Sequence, residues 1–175
     1  MKFTEIPLHG AYIIDIEPIE DERGFFARSW CTDELKQHGL NTQLAQCNIS
    51  FNHKKGTLRG MHYQIKPREE TKIVRCTRGA LFDVIIDIRP QSPTYKKWFG
   101  TELTQENHRA LYIPEGFAHG FQTLEDNTEV FYMMSDFYHA ECARGIRWND
   151  NTFTISWPLE TTSISKRDLS YLLFQ

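Results

Sequence analysis

No apolar run in the 175 residues approaches the roughly 18 needed to cross a bilayer, and no short apolar h-region marks a secretory leader. No membrane partner and a cytoplasmic address are therefore expected. Cysteine is sparse: Cys31, Cys47, Cys76 and Cys142 stand apart, with no C-x-x-C pair. Reduced thiols are the simpler reading than a disulfide framework. An excess of either charge is missing too, the formal net charge being −3 and the pI near 6.2. Such a chain has no global footprint for nucleic acid, although local arginines can still grip a small anion. Linkers, repeats and low-complexity tracts are absent, so a single domain over 1–175 is expected, with 40% hydrophobic residues to close its core.

What is present reads mostly as strand. Residues 73–76 (IVRC) and 80–88 (ALFDVIIDI) are rich in β-branched and aromatic types, and Thr77-Arg78-Gly79 supplies a turn between them. Segments 98–104, 110–113 and 129–134 continue the pattern, while the two prolines of PQSPTY (90–95) suit an extended connection better than a helix. Regularly spaced short strands predict an all-β sandwich or jelly roll. Two peripheral helices are expected. One covers 31–39, with Thr32 as N-cap and Gly39 as stop; the other covers 165–174, opened by a Ser165-x-x-Asp168 capping pattern.

The stretches GTLRGMHYQ (56–64) and PEGFAHGF (114–121) place His62 and His119 at spacings similar to those of metal-binding cupins. The second ligand position, however, holds Gln64, and a neutral amide is a poor substitute for imidazole on Zn²⁺ or Fe²⁺. No metal is expected, and Glu69 and Glu70 read as surface charges. Arg59 lies three residues before His62, so the two share a face only if a bulge near Gly60 re-aims one of them. Taken alone, Arg23 and Lys72 read as solvated or surface-paired charges. Yet an inward Lys72 ahead of an apolar strand would need an oxygen partner. Carbon-acid chemistry would find its base in His62 and candidate acids in Tyr132 and Tyr138. Asp168, by contrast, reads as a simple capping residue.

The motifs RGFF (23–26), Q-x-N-x-S (46–50), LRGMHYQ (58–64), KIVR (72–75), FDVIIDIRPQSPTY (82–95), PEGFAHGF, the Tyr132-to-Tyr138 spacing, WND (148–150) and WP (157–158) occur in one order. That order resembles the dTDP-4-dehydrorhamnose 3,5-epimerase family over roughly residues 5–170. The resemblance implies a cupin-type jelly roll (a β-sandwich) that acts as a homodimer on a nucleotide-diphosphate sugar, without metal or organic cofactor. By likeness, His62 removes protons beside a 4-keto group, oriented by Asp168, while Lys72 holds the ketone oxygen and Tyr132 delivers a proton to the opposite face. Arg23, Arg59 and Arg167 would contact the diphosphate, with Gln46 and Asn48 positioning it; Phe26 and Tyr138 would flank the base, and His119 would line the sugar pocket. Two positions depart from the usual pattern: Arg28, expected near the nucleotide, replaces a glutamate, and Met133 replaces a lysine. A single-centre epimerase or ketoisomerase acting on another nucleotide sugar, and a non-catalytic sugar-nucleotide binder, are the alternative readings.

Overall fold

Strand alternation sorts the side chains of this chain onto two facing sheets. The structure, a computed structural model, describes residues 1–174. In chain order its elements are β1 (Lys2–Glu5), β2 (Tyr12–Asp15), β3 (Ile19–Asp21), β4 (Gly24–Phe26), α1 (Thr32–Gln37), β5 (Gln46–Asn52), β6 (Thr57–Gln64) and β7 (Lys72–Arg78). They continue with β8 (Ala80–Asp87), β9 (Trp98–Thr104), β10 (Ala110–Ile113), β11 (Phe117–Thr123), β12 (Thr128–Met134), β13 (Ala143–Gly145), β14 (Ser163–Ile164) and α2 (Lys166–Ser170). One sheet runs β1-β2-β10-β7-β12-β5; the other runs β13-β6-β11-β8-β9, with β14 added parallel to β6. This is the jelly-roll sandwich expected, with β3 and β4 forming a separate hairpin. None of the described helices is long and apolar enough to cross a membrane.

The period of two decides which residues meet between the sheets. Val74, Cys76, Leu111, Ile113 and Val130 from one sheet pack against Leu81, Ile85, Leu103, Phe117 and Phe121 from the other. The intervening residues turn outward. Ile73 and Met133 join Leu35 of α1 in a second cluster, and Val84, Ile86 and Ala118 join Met61 in a third. By the same parity, Lys72 shares the face of Val74, and Tyr132 shares that of Val130. Both therefore point between the sheets rather than outward.

Three local expectations are corrected. Helix α1 is capped at Cys31, not Thr32, with no side-chain cap bond, and it stops as expected before Gly39 at φ +68°. Helix α2 is only Lys166–Ser170; Tyr171 leaves it with extended backbone, and residues 172–174 are in no regular element. There, Arg147 N–H donates to the Leu172 carbonyl, and Phe174 N–H to the Asp150 carboxylate. These contacts outside the helix outcompete its continuation.

PQSPTY, third, is a run of tight turns, with Ser92, Tyr95 and Lys97 N–H donating to the carbonyls of Arg89, Ser92 and Thr94. The turns wrap the buried Asp87 carboxylate, which accepts from Arg89, Ser92 and Thr94. Burial alone would raise this carboxyl, but those donors outweigh it and hold Asp87 at about 2, from an ordinary 3.8. A depressed carboxyl stabilises the fold above its unfolded value and stops doing so as pH falls through the folded one. Asp87→Asn is therefore expected to lose about 2 kcal/mol at pH 7. Urea unfolding of variant and wild type is expected to converge between about pH 4 and pH 2.

Candidate active site

A cleft of about 300 Å³ opens at one end of the sandwich, between β6, β11 and β13 on one wall and β5, β7 and β12 on the other. Its placement begins at Gly60. On β6 and β11, His62 pairs with His119 but Arg59 pairs with Phe121, three residues against two, so β6 is bulged. Gly60 sits at φ +138°, and a Cβ there would lie 2.6 Å from the Gly120 Cα. Only glycine fits so close an approach at that φ. The bulge brings Arg59 and His62, an odd number of residues apart, into the same cleft, and Asn52 Oδ1 accepts from Arg59 Nε at 2.7 Å.

His62 Nε2 lies 2.7 Å from Asp168 Oδ1, and the second carboxylate oxygen accepts from Gly60 N–H at 3.3 Å. The Ser165 hydroxyl accepts from Asp168 N–H, so half of the expected capping box exists. The Asp168 side chain, however, leaves the box for the imidazole. Burial alone would raise Asp168, but the bonds from His62 and Gly60 outweigh it, and the carboxyl stays below its ordinary range. An ionised Asp168 accepts the Nε2 proton, which leaves the lone pair of the neutral ring on Nδ1.

Across the cleft, Tyr132 packs edge-on against His119, with ring centroids 6.1 Å apart. Burial, then the nearby Asp83 carboxylate, pushes its phenol well above the ordinary value, so it stays protonated at neutral pH. His119 Nε2 in turn meets Asp83 Oδ1 at 2.7 Å, both side chains being buried. The cleft thus holds two His–Asp pairs.

Lys72 is buried and its Nζ lies 3.0 Å from Glu70 Oε1. Glu70 is therefore no surface charge: it faces the cleft, tied to Lys72 and to the Gln64 amide. Gln64 also donates to the Arg68 and Phe137 carbonyls and accepts from His139 N–H at 2.7 Å. The residue in the second-ligand slot is a backbone clamp. The buried Lys72–Glu70 pair also overturns the surface reading of Lys72 taken alone.

The structure further brings Asn48, Arg59, His119, Tyr138 and Arg167 to this cleft. Gln46 lies just behind, its amide on Met134 Sδ and its Oε1 accepting from Tyr138 N–H. It does not bring Arg23, Phe26 or Arg28. Arg23 is paired with Asp21 within the β3–β4 hairpin, Arg28 with Glu34 of α1, and Phe26 is 76% exposed. Phe25 of that hairpin packs on His108, just before β10, and neither residue lines the cleft.

The sequence reading missed Glu70, Asp83 and Arg144. Asp83 left a signal: within LFDVIID it shares the inward parity of Leu81 and Ile85, so it needed a buried partner. Arg144, which lines the cleft, left none.

A family model described as dTDP-4-dehydrorhamnose 3,5-epimerase matches residues 5–175. A Shigella flexneri protein of that name is 43% identical over 168 residues, 95% of this chain and 91% of its own. The Bacillus anthracis enzyme of that name, solved with TDP and pyrophosphate bound, superimposes with a TM-score of 0.95 at 38% identity, covering 99% of each chain. A Legionella pneumophila dTDP-6-deoxy-D-glucose-3,5-epimerase, solved with dTDP-4-keto-L-rhamnose, gives 0.92 at 36% identity, covering 98% of this chain and 92% of its own. Bulged β6, the paired imidazoles of β6 and β11 and the lysine and tyrosine facing them thus sit in a chain that belongs to the dTDP-4-dehydrorhamnose 3,5-epimerase family, whose members are isomerases.

Proposed function

We propose that this chain epimerises a 4-keto-6-deoxy nucleotide sugar of the dTDP type at the carbons flanking the ketone, C3 and C5. The observation that carries the reading is the division of labour between the sheets. His62, with Asp168 behind it, comes from one wall, while Tyr132 and Lys72 come from the other. Inversion beside a ketone needs removal of a proton on one face and its return on the other, and this arrangement supplies both.

In this reading His62 Nδ1 takes the proton from the C–H beside the ketone. The electron pair moves through the C–C bond to the ketone oxygen, and Lys72 N–H groups hold the resulting oxyanion. The Tyr132 hydroxyl then gives its proton to the opposite face of the same carbon, leaving His62 charged and Tyr132 as phenolate. Solvent takes the proton from one and restores it to the other. Arg59 and Arg167 at the mouth suit a diphosphate, since a guanidinium fork pairs with phosphate oxygens. Asn48 and Tyr138 stand beside them to position the nucleotide and cover its base.

Arg23, Phe26 and Arg28 fit this scheme through a second copy. The β3–β4 hairpin presents Ile19 and Phe26, 72% and 76% exposed, beside Arg23, and does not line the cleft of its own chain. A homodimer in which each hairpin closes the partner's cleft gives these residues their expected place at the nucleotide. Light scattering is then expected to report a dimer. Mixing His62→Ala with Arg23→Ala protein is expected to give more turnover than the two variants separately, because hybrid dimers regain one complete site. No gain on mixing argues for sites completed within one chain.

Turnover of dTDP-4-keto-6-deoxyglucose in D₂O is expected to place deuterium at the inverted carbons, read by NMR of the product. His62→Ala is expected to lower kcat by about 10³ and abolish exchange. Lys72→Met is expected to lower kcat by about 10²–10³, the cost of losing an oxyanion donor. Tyr132→Phe is expected to keep exchange on the His62 side while losing inversion. Product formation without solvent deuterium would sink the proton-transfer scheme.

A further inference from the structure

Asp168 holds one edge of the His62 ring, and a second side chain from the same terminal segment packs against that ring. Tyr171, three residues after Asp168, meets His62 in a T-shaped contact, with centroids 5.8 Å apart and planes at 70°. We propose that Tyr171 is a positioning residue for the base. Its ring is a wall that keeps the His62 imidazole in the orientation bonded to Asp168 and shields that bond from water.

Four features make the wall rigid. Gly145 pairs directly with His62 across β13 and β6, and the Tyr171 ring lies on the bare Gly145 Cα: a Cβ there would meet three ring carbons at 2.2–2.6 Å. The Arg167 guanidinium, one helical turn earlier, stacks over the other side, 5.9 Å from the ring centroid. Before Tyr171, helix α2 is tied down by the Ser165 cap and by Asp168 itself. After it, Arg147 N–H donates to the Leu172 carbonyl and Phe174 N–H to Asp150, the carboxylate of the WND motif. Asp150 is buried and also accepts from Thr152 N–H at 2.8 Å, so it is itself fixed. The terminal segment therefore acts as a strap, fastened on both sides of Tyr171.

The hydroxyl is not what holds the ring. Tyr171 Oη is buried and makes no hydrogen bond of ordinary length, with the Arg167 guanidinium its neighbouring charge. Nor is Tyr171 among the side chains that line the cleft. What remains is the ring, and its contact is with the imidazole. An imidazole free to swing about its side-chain bonds spends time away from both Asp168 and the reacting carbon, and small misplacements of a catalytic group are costly.

This inference rests on the reading of His62 as the base, and its test separates the two. Tyr171→Phe keeps the ring and is expected to match wild type. Tyr171→Ala is expected to lower kcat about tenfold while KM stays within about twofold, because the base, not the binding surface, has moved. Long-range ¹H–¹⁵N spectra supply a readout that needs no turnover. The His62 resonance, assigned by its loss in His62→Ala, is expected to show a fixed Nε2–H tautomer in wild type and Tyr171→Phe, and an averaged, faster-exchanging ring in Tyr171→Ala. A merely structural role predicts a lower Tm with unchanged kcat and an unchanged His62 spectrum, and that result overturns the proposal. So does Tyr171→Phe losing as much as Tyr171→Ala. If His62→Ala retains turnover, the reading of the base fails, while the spectra still decide whether Tyr171 fixes the ring.

Discussion

The hydrogen bond between His62 and Asp168 is the contact on which the site depends, and it joins two segments that are far apart in the chain. Its two members lie 106 residues apart, one on a bulged central strand and one on a five-residue helix near the end of the sequence. Neither element would hold its place alone. The bulge survives because Gly60 tolerates the close approach of Gly120, and the short helix survives because its cap, its carboxylate and the segment after it all bond elsewhere in the fold. A helix of that length has little stability of its own. Its order is borrowed from the very contact that holds the His62 ring.

The second wall has a different electrostatic logic. A buried ammonium is costly unless it is paired, and Lys72 meets that requirement through Glu70, which Gln64 fixes in turn. The pair is close to neutral as a unit, so in the proposed reaction any help from Lys72 to a developing oxyanion would be directional, through N–H groups not spent on Glu70. Tyr132 follows the complementary rule. Burial and Asp83 disfavour its phenolate, so the phenol stays protonated at rest, as the proposed role of proton donor requires.

Much of this was legible in the sequence, because period-two alternation carries across a sandwich. The strands and the need for a bulge between Arg59 and His62 follow from residue spacing and one glycine. Partnerships between distant segments did not. Asp168 reads locally as a helix cap, and locally it is one: its backbone N–H serves the cap while its carboxylate serves His62. Glu70 reads as surface because it neighbours Arg68 and Glu69 in a charged run; only the fold shows Lys72 and Gln64 converging on it. The PQSPTY turns were hidden likewise, since the carboxylate that organises them comes from the preceding strand.

Strand parity also decides what the two departures from the family pattern mean. Met133 follows Tyr132, so its side chain leaves the cleft and packs with Ile14, Leu35 and Ile73 under α1. An apolar residue is at home there, and the exchange of lysine for methionine alters the outer core, not the chemistry. Arg28 differs in kind. It is exposed, and its charge is already matched by Glu34, which also holds the N-terminal ammonium. A guanidinium tethered to a carboxylate offers a ligand less net charge than a free one, and the carboxylate moves with the pair. The charge reversal at this position is thus muted within the chain itself, by an ion pair that lies outside the cleft.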